Sequence, residues 1–334
     1  VSVRSIQEGE VQQMKVVFMG TPDFSVDALE AILTAGHQVP AVVTQPDKPK
    51  GRGRGVQVTP VKACAQAHGI PVFQPVKVRE KEAVEVLRSY HADVFVVAAF
   101  GQILSEEILT MPRYGCVNIH ASLLPKYRGA GPIQWAIING EEKTGVTIMQ
   151  MDKGIDTGDM LLKTEVMIDP KETGDSLHDK LARAGAELIV EALPKIERGE
   201  LVPVRQKDAE SCYAKMLQKS MGQIDWQQSA KKLDCLIRGL ISWPGACTRF
   251  RGKNLKIWEE EVASKEALTL SGVTMEGDGA SVPGTVAAVS KDAFYVWTGD
   301  GILKILSVQP EGKRRMPVKE FLLGYQIKNG EQLG

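Results

Sequence analysis

A doubly wound, mostly parallel α/β sheet followed by a smaller β-rich domain is the fold class this sequence predicts. Three observations predict it. The first half alternates short apolar runs with amphipathic stretches of helical period, the composition shifts after about residue 203, and short strand-like segments then recur between Gly and Pro signals. A chain of 334 residues is long enough for two domains, each with its own core.

"KVVFMG" (15–20) is a continuous apolar run, as a strand buried on both faces requires. Thr21-Pro22-Asp23 reads as an N-cap, a Pro at the first helical position and an acid in the first turn. The helix "SVDALEAILTAG" stops at Gly36, and "QVPAVVTQ" (38–45) is the second strand. "TPVKACAQAHG" and "EKEAVEVLRSYH" are helical, with the short strand "VFQP" between them. "DVFVVAAFG" (93–101) and "CVNIHAS" (116–122) are central strands, followed by "TGVTIMQMD" (144–152) and "MLLKTEVMI" (160–168). A long helix, 176–199, closes the unit. Residues 203–217 read as a linker, a helix follows at about 229–241, and "ACTRF", "LKIWE", "GTVAAV", "AFYVWT" and "ILKILSVQP" have the spacing of a small β-barrel. Residues 1–13 are expected to be a tail, disordered or foreign to the native chain, with Met14 beginning the fold.

Composition narrows the function. The longest apolar run, Val94 to Phe100, is far too short to span a bilayer. The five cysteines form no CxxC pair and no evident Cys/His cluster, which fits a reducing cytoplasm and argues against structural zinc. Net charge is zero, yet residues 211–334 carry 17 Lys/Arg against 13 Asp/Glu. "QPDKPKGRGRG" (45–55) adds four basic side chains against one Asp inside the acidic half. A phosphate backbone responds to such local basicity and not to the total. The first turn, "GTPDF", lacks GxGxxG, so the fold brings no nicotinamide cofactor with it.

The chemistry concentrates where "CVNIHAS" ends. Alternation puts Asn118 and His120 on one face of the strand, at the carboxyl end where open parallel sheets bind ligands. Two convergent donors suit a developing oxyanion. Thirty-odd residues on, "MDKGIDTGDM" (151–160) is a Gly-broken loop carrying Asp152, Asp156 and Asp159, and a carboxylate there could fix the His tautomer and take a proton. A solitary histidine would read as a satisfied core side chain; the Asn-x-His pair, the strand end and the acidic loop together favour catalysis. The other four histidines, 37, 68, 91 and 178, read as surface residues. Lys48, Lys50, Arg52 and Arg54, interleaved with Gly51, Gly53 and Gly55, make a cationic loop on the same sheet end and are candidates for a nucleic-acid contact.

The run "NIHASLLPKYRGAGP", with "GTPDF" before it and "MDKGIDTGDM" after it, resembles the methionyl-tRNA formyltransferase family, as do "KMLQKSMGQIDW", "RGLISWPGACT" and "PEGKRRMPVKEFLLGY" further on. The likeness spans about residues 14–330; Gly131 departs from it, standing where the family usually has Ala. The resemblance implies a Rossmann-like formyltransferase domain at 14–202, the linker at 203–217 and an OB-like tRNA-binding domain at 218–330. It assigns Asn118, His120 and Asp156 as the catalytic group and puts Ser122, Leu123, Leu124 and Pro125 beside the folate. It further implies direct attack of the α-amine of methionyl initiator tRNA on the formyl carbon of 10-formyltetrahydrofolate, through a tetrahedral intermediate. No metal is implied, and a cytoplasmic monomer is expected, with Lys48, Lys50, Arg52 and Arg54 meeting the tRNA acceptor end. A formyltransferase acting on an amino-sugar nucleotide, a hydrolase of the same cofactor and a non-enzymatic RNA-binding module are the rival readings.

Overall fold

The computed structural model describes residues 13–49, 56–264 and 282–334. Two compact units form. The first comprises the chain up to Gly129, Thr144–Val166 and His178–Tyr213; the second comprises Ala130–Lys143, Met167–Leu177 and Ala214–Gly334.

The first unit is built on seven strands: β1 (Lys15–Gly20), β2 (Gln38–Val43), β3 (Val72–Phe73), β4 (Val94–Ala98), β5 (Cys116–His120), β6 (Lys143–Gln150) and β7 (Met160–Met167). Their order in the sheet is β7-β6-β5-β4-β1-β2-β3. The five strands from β3 to β5 pair in parallel, and β6 pairs antiparallel to β5 with Thr147 opposite His120. Val16 to Met19 of β1 are fully buried, the burial on both faces that a continuous apolar run demands. Helices α1 (Val26–Thr34), α2 (Pro60–Ala67) and α3 (Lys81–Ser89) link the parallel strands. Strand order reverses beside β1, so ligands are expected beyond Gly20, Ala98 and His120.

Two local expectations change. Thr21 does not cap a helix: a short 3-10 turn, Asp23–Ser25, precedes α1. Thr21 Oγ1 donates instead to Phe100 O at 3.0 Å and accepts from Gln45 N, tying the ends of β1, β2 and β4 together. His37 is buried, not a surface residue. Its Nδ1 accepts from Met14 N, and burial pushes its pKa down.

The basic loop closes on a defined base. Thr44 and Thr59 share a hydroxyl hydrogen bond of 2.8 Å, Thr59 also caps α2, and Asp47 is held by Lys62 and Gln74. A two-residue ribbon, Lys48–Pro49 with Val56–Gln57, starts the excursion. Lys48 is exposed there. Lys50, Arg52 and Arg54, like residues 1–12, lie outside the described residues.

The second unit is an antiparallel sheet of β8 (Ala246–Phe250), β9 (Lys253–Ala263), β10 (Val286–Val289), β11 (Phe294–Trp297), β12 (Ile302–Pro310) and β13 (Met316–Pro317), ordered β8-β9-β12-β11-β10 with β13 on β12. Trp226, Leu233, Ile237, Phe250, Phe294 and Phe321 form the centre of its core. Irregular register around Glu259 shifts β9 against β12, and the strand's next residue, Glu260, points inward. At Gly131 an added Cβ would meet Lys215 O at 3.1 Å, so a larger residue here would press on that carbonyl.

Candidate active site

Asn118 and His120 stand two apart on β5 and are both buried, 8% and 6% exposed. The imidazole is oriented by its own chain. His120 Nε2 lies 2.9 Å from the carbonyl of Tyr127, and since a carbonyl only accepts, Nε2 carries the proton. The expectation that a carboxylate fixes the tautomer is therefore corrected: Tyr127 does so, from a backbone bent into the left-handed region at φ 60°. Nδ1 is left for chemistry, 3.7 Å from Asp156 Oδ1.

Asp156 arrives by a detour. Because β6 runs antiparallel to β5, its chain leaves the sheet at the Cys116 end, with Gln150 opposite Val117. The loop that follows has to return to reach His120. Gly158, after Asp156, lets the loop close against the end of β6, since a Cβ there would lie 1.8 Å from Gln150 O. Asp156 itself sits at φ 54°, a conformation that costs a non-glycine residue roughly 1–3 kcal/mol and persists where surroundings enforce it. Its Oδ2 accepts from Gly129 N at 2.8 Å, which leaves Oδ1 facing the imidazole. Asp152 plays a different part: Oδ1 accepts from Gly154 N and Thr157 Oγ1, shaping the turn. Asp159 contributes its carbonyl, which accepts from Gln150 N.

The four residues from Ser122 to Pro125 divide by burial. Ser122 and Leu124 are internal, while Leu123 and Pro125 keep partly exposed surface. Ser122 Oγ donates to Lys126 O at 2.6 Å, and Leu124 packs against Met149 and Met160. Thr147 of β6 clamps the turn, donating to Ser122 O at 2.7 Å and accepting from Leu124 N at 3.1 Å. Lys163 caps it by donating to Leu124 O, and burial pushes its ammonium pKa down. The sequence reading missed Thr147 and Lys163. Each acts across strands, and nothing in their local pattern distinguishes them from ordinary strand residues.

It also missed Gln206, within the stretch read as linker. That stretch is bonded into the first unit: Val204 and Met160 exchange both backbone hydrogen bonds at 2.9 Å. Gln206 is 6% exposed, and its amide donates to the carbonyls of Asp156 and Gly158 at 2.8 and 2.7 Å.

Two other features lie apart from this constellation. A cleft of about 530 Å³ opens at the amino end of β5, lined by Arg113, Tyr114, Gly115 and Asp152 among others, and includes none of Asn118, His120 and Asp156. Glu30, Cys64 and His68 come together, so a Cys/His grouping exists in space that the linear sequence hid. Cys64 donates to Glu30, which pairs with His68, and burial together with the Glu30 carboxylate pushes the thiol up to about 12. A thiol so disinclined to ionise is suited to a hydrogen-bonded ion pair and poorly suited to ligating a cation.

Comparison with known proteins identifies the family. The family model described as formyl transferase matches residues 14–193, and that described as formyl transferase, C-terminal domain, matches 216–326. The chain is 52% identical to a methionyl-tRNA formyltransferase of Agathobacter rectalis, over 95% of this chain and 98% of that one. It is 54% identical to one from Lachnospira eligens, over 96% and 100%. Among solved structures, HypX from Aquifex aeolicus in complex with tetrahydrofolic acid shares the fold at TM-score 0.62 and 19% identity, covering 93% of this chain; the chain spans 47% of that one. A sugar 3N-formyl transferase matches at TM-score 0.64 and 19% identity, over 91% of this chain and all of that one. With two matching family models in tandem and relatives about half identical over nearly the whole length, the chain belongs to the formyl transferase family, among the methionyl-tRNA formyltransferases.

Proposed function

We propose that this chain transfers a formyl group from 10-formyltetrahydrofolate to the α-amine of methionine esterified to initiator tRNA, serving translation initiation in the cytoplasm as a monomer. The observation that carries the reading is the convergence of Asn118, His120 and Asp156 at the carboxyl end of β5, in a chain of this family. When bound, the donor supplies an acyl carbon whose oxygen gains negative charge as the amine attacks. The residues suit such a group: a buried amide that donates N–H and a buried imidazole that can do so from Nδ1 once protonated there, with the half-buried Leu123 and Pro125 beside them.

Asn118 holds the formyl oxygen through its amide N–H. His120, with its Nε2–H committed to Tyr127, presents the Nδ1 lone pair; once Nδ1 takes up the proton that the amine loses, the imidazolium steadies the charge on the oxygen. Asp156 exchanges a proton with Nδ1 and carries away the one the amine must lose, directly or through a water. A neutral amine is already a good nucleophile, so orientation, charge stabilisation and proton removal are the whole of the task. Ser122 and Leu124 border the folate by holding the turn, and Leu123 and Pro125 by their surface. Residues 14–202 serve as the catalytic domain, 203–217 as its connection onward and 218–330 as an OB-like tRNA-binding domain. Lys48, Lys50, Arg52 and Arg54 meet the phosphates of the acceptor end.

Formyl transfer assayed in parallel on methionyl initiator tRNA and on an amino-sugar nucleotide tests the reading. Rapid transfer to the charged tRNA alone is expected. Transfer to the sugar nucleotide alone would overturn it.

A further inference from the structure

We infer that Gln206 is a positioning residue for Asp156, setting the carboxylate at its working distance from His120. The inference rests on the catalytic reading of Asp156.

Three hydrogen bonds account for every polar group of the Gln206 side chain that faces the protein. Both amide N–H groups are used, one on Asp156 O at 2.8 Å and one on Gly158 O at 2.7 Å. The amide oxygen accepts from Arg128 Nε at 2.9 Å, so the donor end is forced towards the loop and cannot flip. Arg128 is itself braced by an ion pair with Asp208 at 2.9 Å. The next residue, Gly129, donates its N–H to Asp156 Oδ2 at 2.8 Å. Residues 128–129, 156–158 and 206 thus close a ring of hydrogen bonds around the carboxylate, with Oδ1 left facing His120.

The ring answers a need the loop creates. Asp156 holds φ 54°, sparsely populated for a residue with a side chain, and residue 158 lies so close to Gln150 O that only glycine fits. Two carbonyls from such a turn point inward, and a buried carbonyl must be satisfied. Gln206 satisfies both at once, and the paired backbones of Val204 and Met160 keep it in register. An amide is the chemistry this demands: two donors on one nitrogen and an acceptor for Arg128. A carboxylate would oppose both carbonyls, and an Asn would fall one methylene short.

Gln206→Met, which keeps length and burial, is expected to lower kcat by 10- to 100-fold while changing KM for the folate donor less than threefold. Gln206→Glu should be impaired at neutral pH and recover relative to wild type as pH falls, because the protonated acid regains one donor. A purely structural role would not produce that pH-dependent ratio. The double variant Asp156→Asn with Gln206→Met should be no more than about threefold slower than Asp156→Asn alone, since a residue acting through Asp156 has nothing left to position. Thermal melting of each variant checks folding, and Gln206→Asn replaces Gln206→Met if the latter melts early. If Asp156→Asn is slow but Gln206→Met keeps wild-type kcat, or if the two losses multiply, the inference is overturned. If Asp156→Asn itself is fully active, the catalytic reading fails instead.

Discussion

His120 Nε2 donates to the carbonyl of Tyr127, seven residues further along the same segment, at 2.9 Å. The strand that carries the imidazole and the turn that follows it therefore fix its tautomer together. Nδ1, 3.7 Å from Asp156, is the ring nitrogen left to meet another group. The consequences for individual side chains can be measured.

His120→Ala and Asn118→Ala are each expected to lower kcat by about 100-fold or more, the scale seen when one donor to a developing oxyanion is removed. Both side chains are buried and His120 bonds the Tyr127 carbonyl, so a modest fall in melting temperature is expected and kcat is compared well below it. Steady-state kinetics within threefold of wild type for either variant would sink the assignment.

Asp156→Asn should cost about as much as His120→Ala, since the amide keeps the shape and loses the charge. Asp152→Asn should cost far less. Its Oδ1 only accepts from Gly154 N and Thr157 Oγ1, and an amide oxygen can do the same. A reversal of the two severities would name Asp152 as the working carboxylate.

The Gly-Arg loop can be tested by salt. Replacing Lys48, Lys50, Arg52 and Arg54 together with Ala should raise KM for charged tRNA strongly and leave folate affinity nearly unchanged. The slope of log affinity against log salt should flatten by roughly 0.7–0.9 for each phosphate that the variant no longer neutralises. Titrations at several salt concentrations check this; an unchanged slope would leave the loop a bystander.

Glu260 predicts a pH-dependent stability. It is 7% exposed, its Oε2 has no hydrogen-bond partner among the described residues, and the Arg238 fork is taken by Asp234. Burial first, and the Asp234 carboxylate second, push its pKa up from 4.5 to about 8. Between those values the folded state holds a proton that the unfolded state releases, so stability falls as pH rises from about 4.5 to about 8. Glu260→Gln should remove that fall, stabilising the protein by on the order of 1–4 kcal/mol above pH 8 and by much less near pH 4.5. Denaturant unfolding of both proteins at the two pH values decides it, and an equal difference at both would sink the idea.

What the sequence determined by itself was whatever depends on near neighbours. Period-two alternation is enough to put Asn118 and His120 on one face, and a seven-residue apolar run is enough to bury β4 in a parallel sheet. Local chemistry also marked the Gly-broken acidic loop, and set Asp152 and Asp159 behind Asp156 because they end and open strands, where Asp is common. The approach of Asp156 to His120 belongs to tertiary structure. The antiparallel run of β6 sends the loop away from His120, and the loop folds back so that Asp156 faces the imidazole while Gly158 packs against Gln150 O. The supports are still more distant in sequence: Thr147 reaches Ser122 across 25 positions, Gln206 reaches Asp156 across 50, and Arg128 reaches Gln206 across 78. Local patterning misled wherever a long-range partner was stronger, as when Thr21 left its helix cap for Phe100 and His37 was buried against Met14. The physical reason is the same in each case. Periodicity and capping are set by residues within a turn or two, whereas a hydrogen bond to a buried carbonyl is set by which strands the sheet makes neighbours.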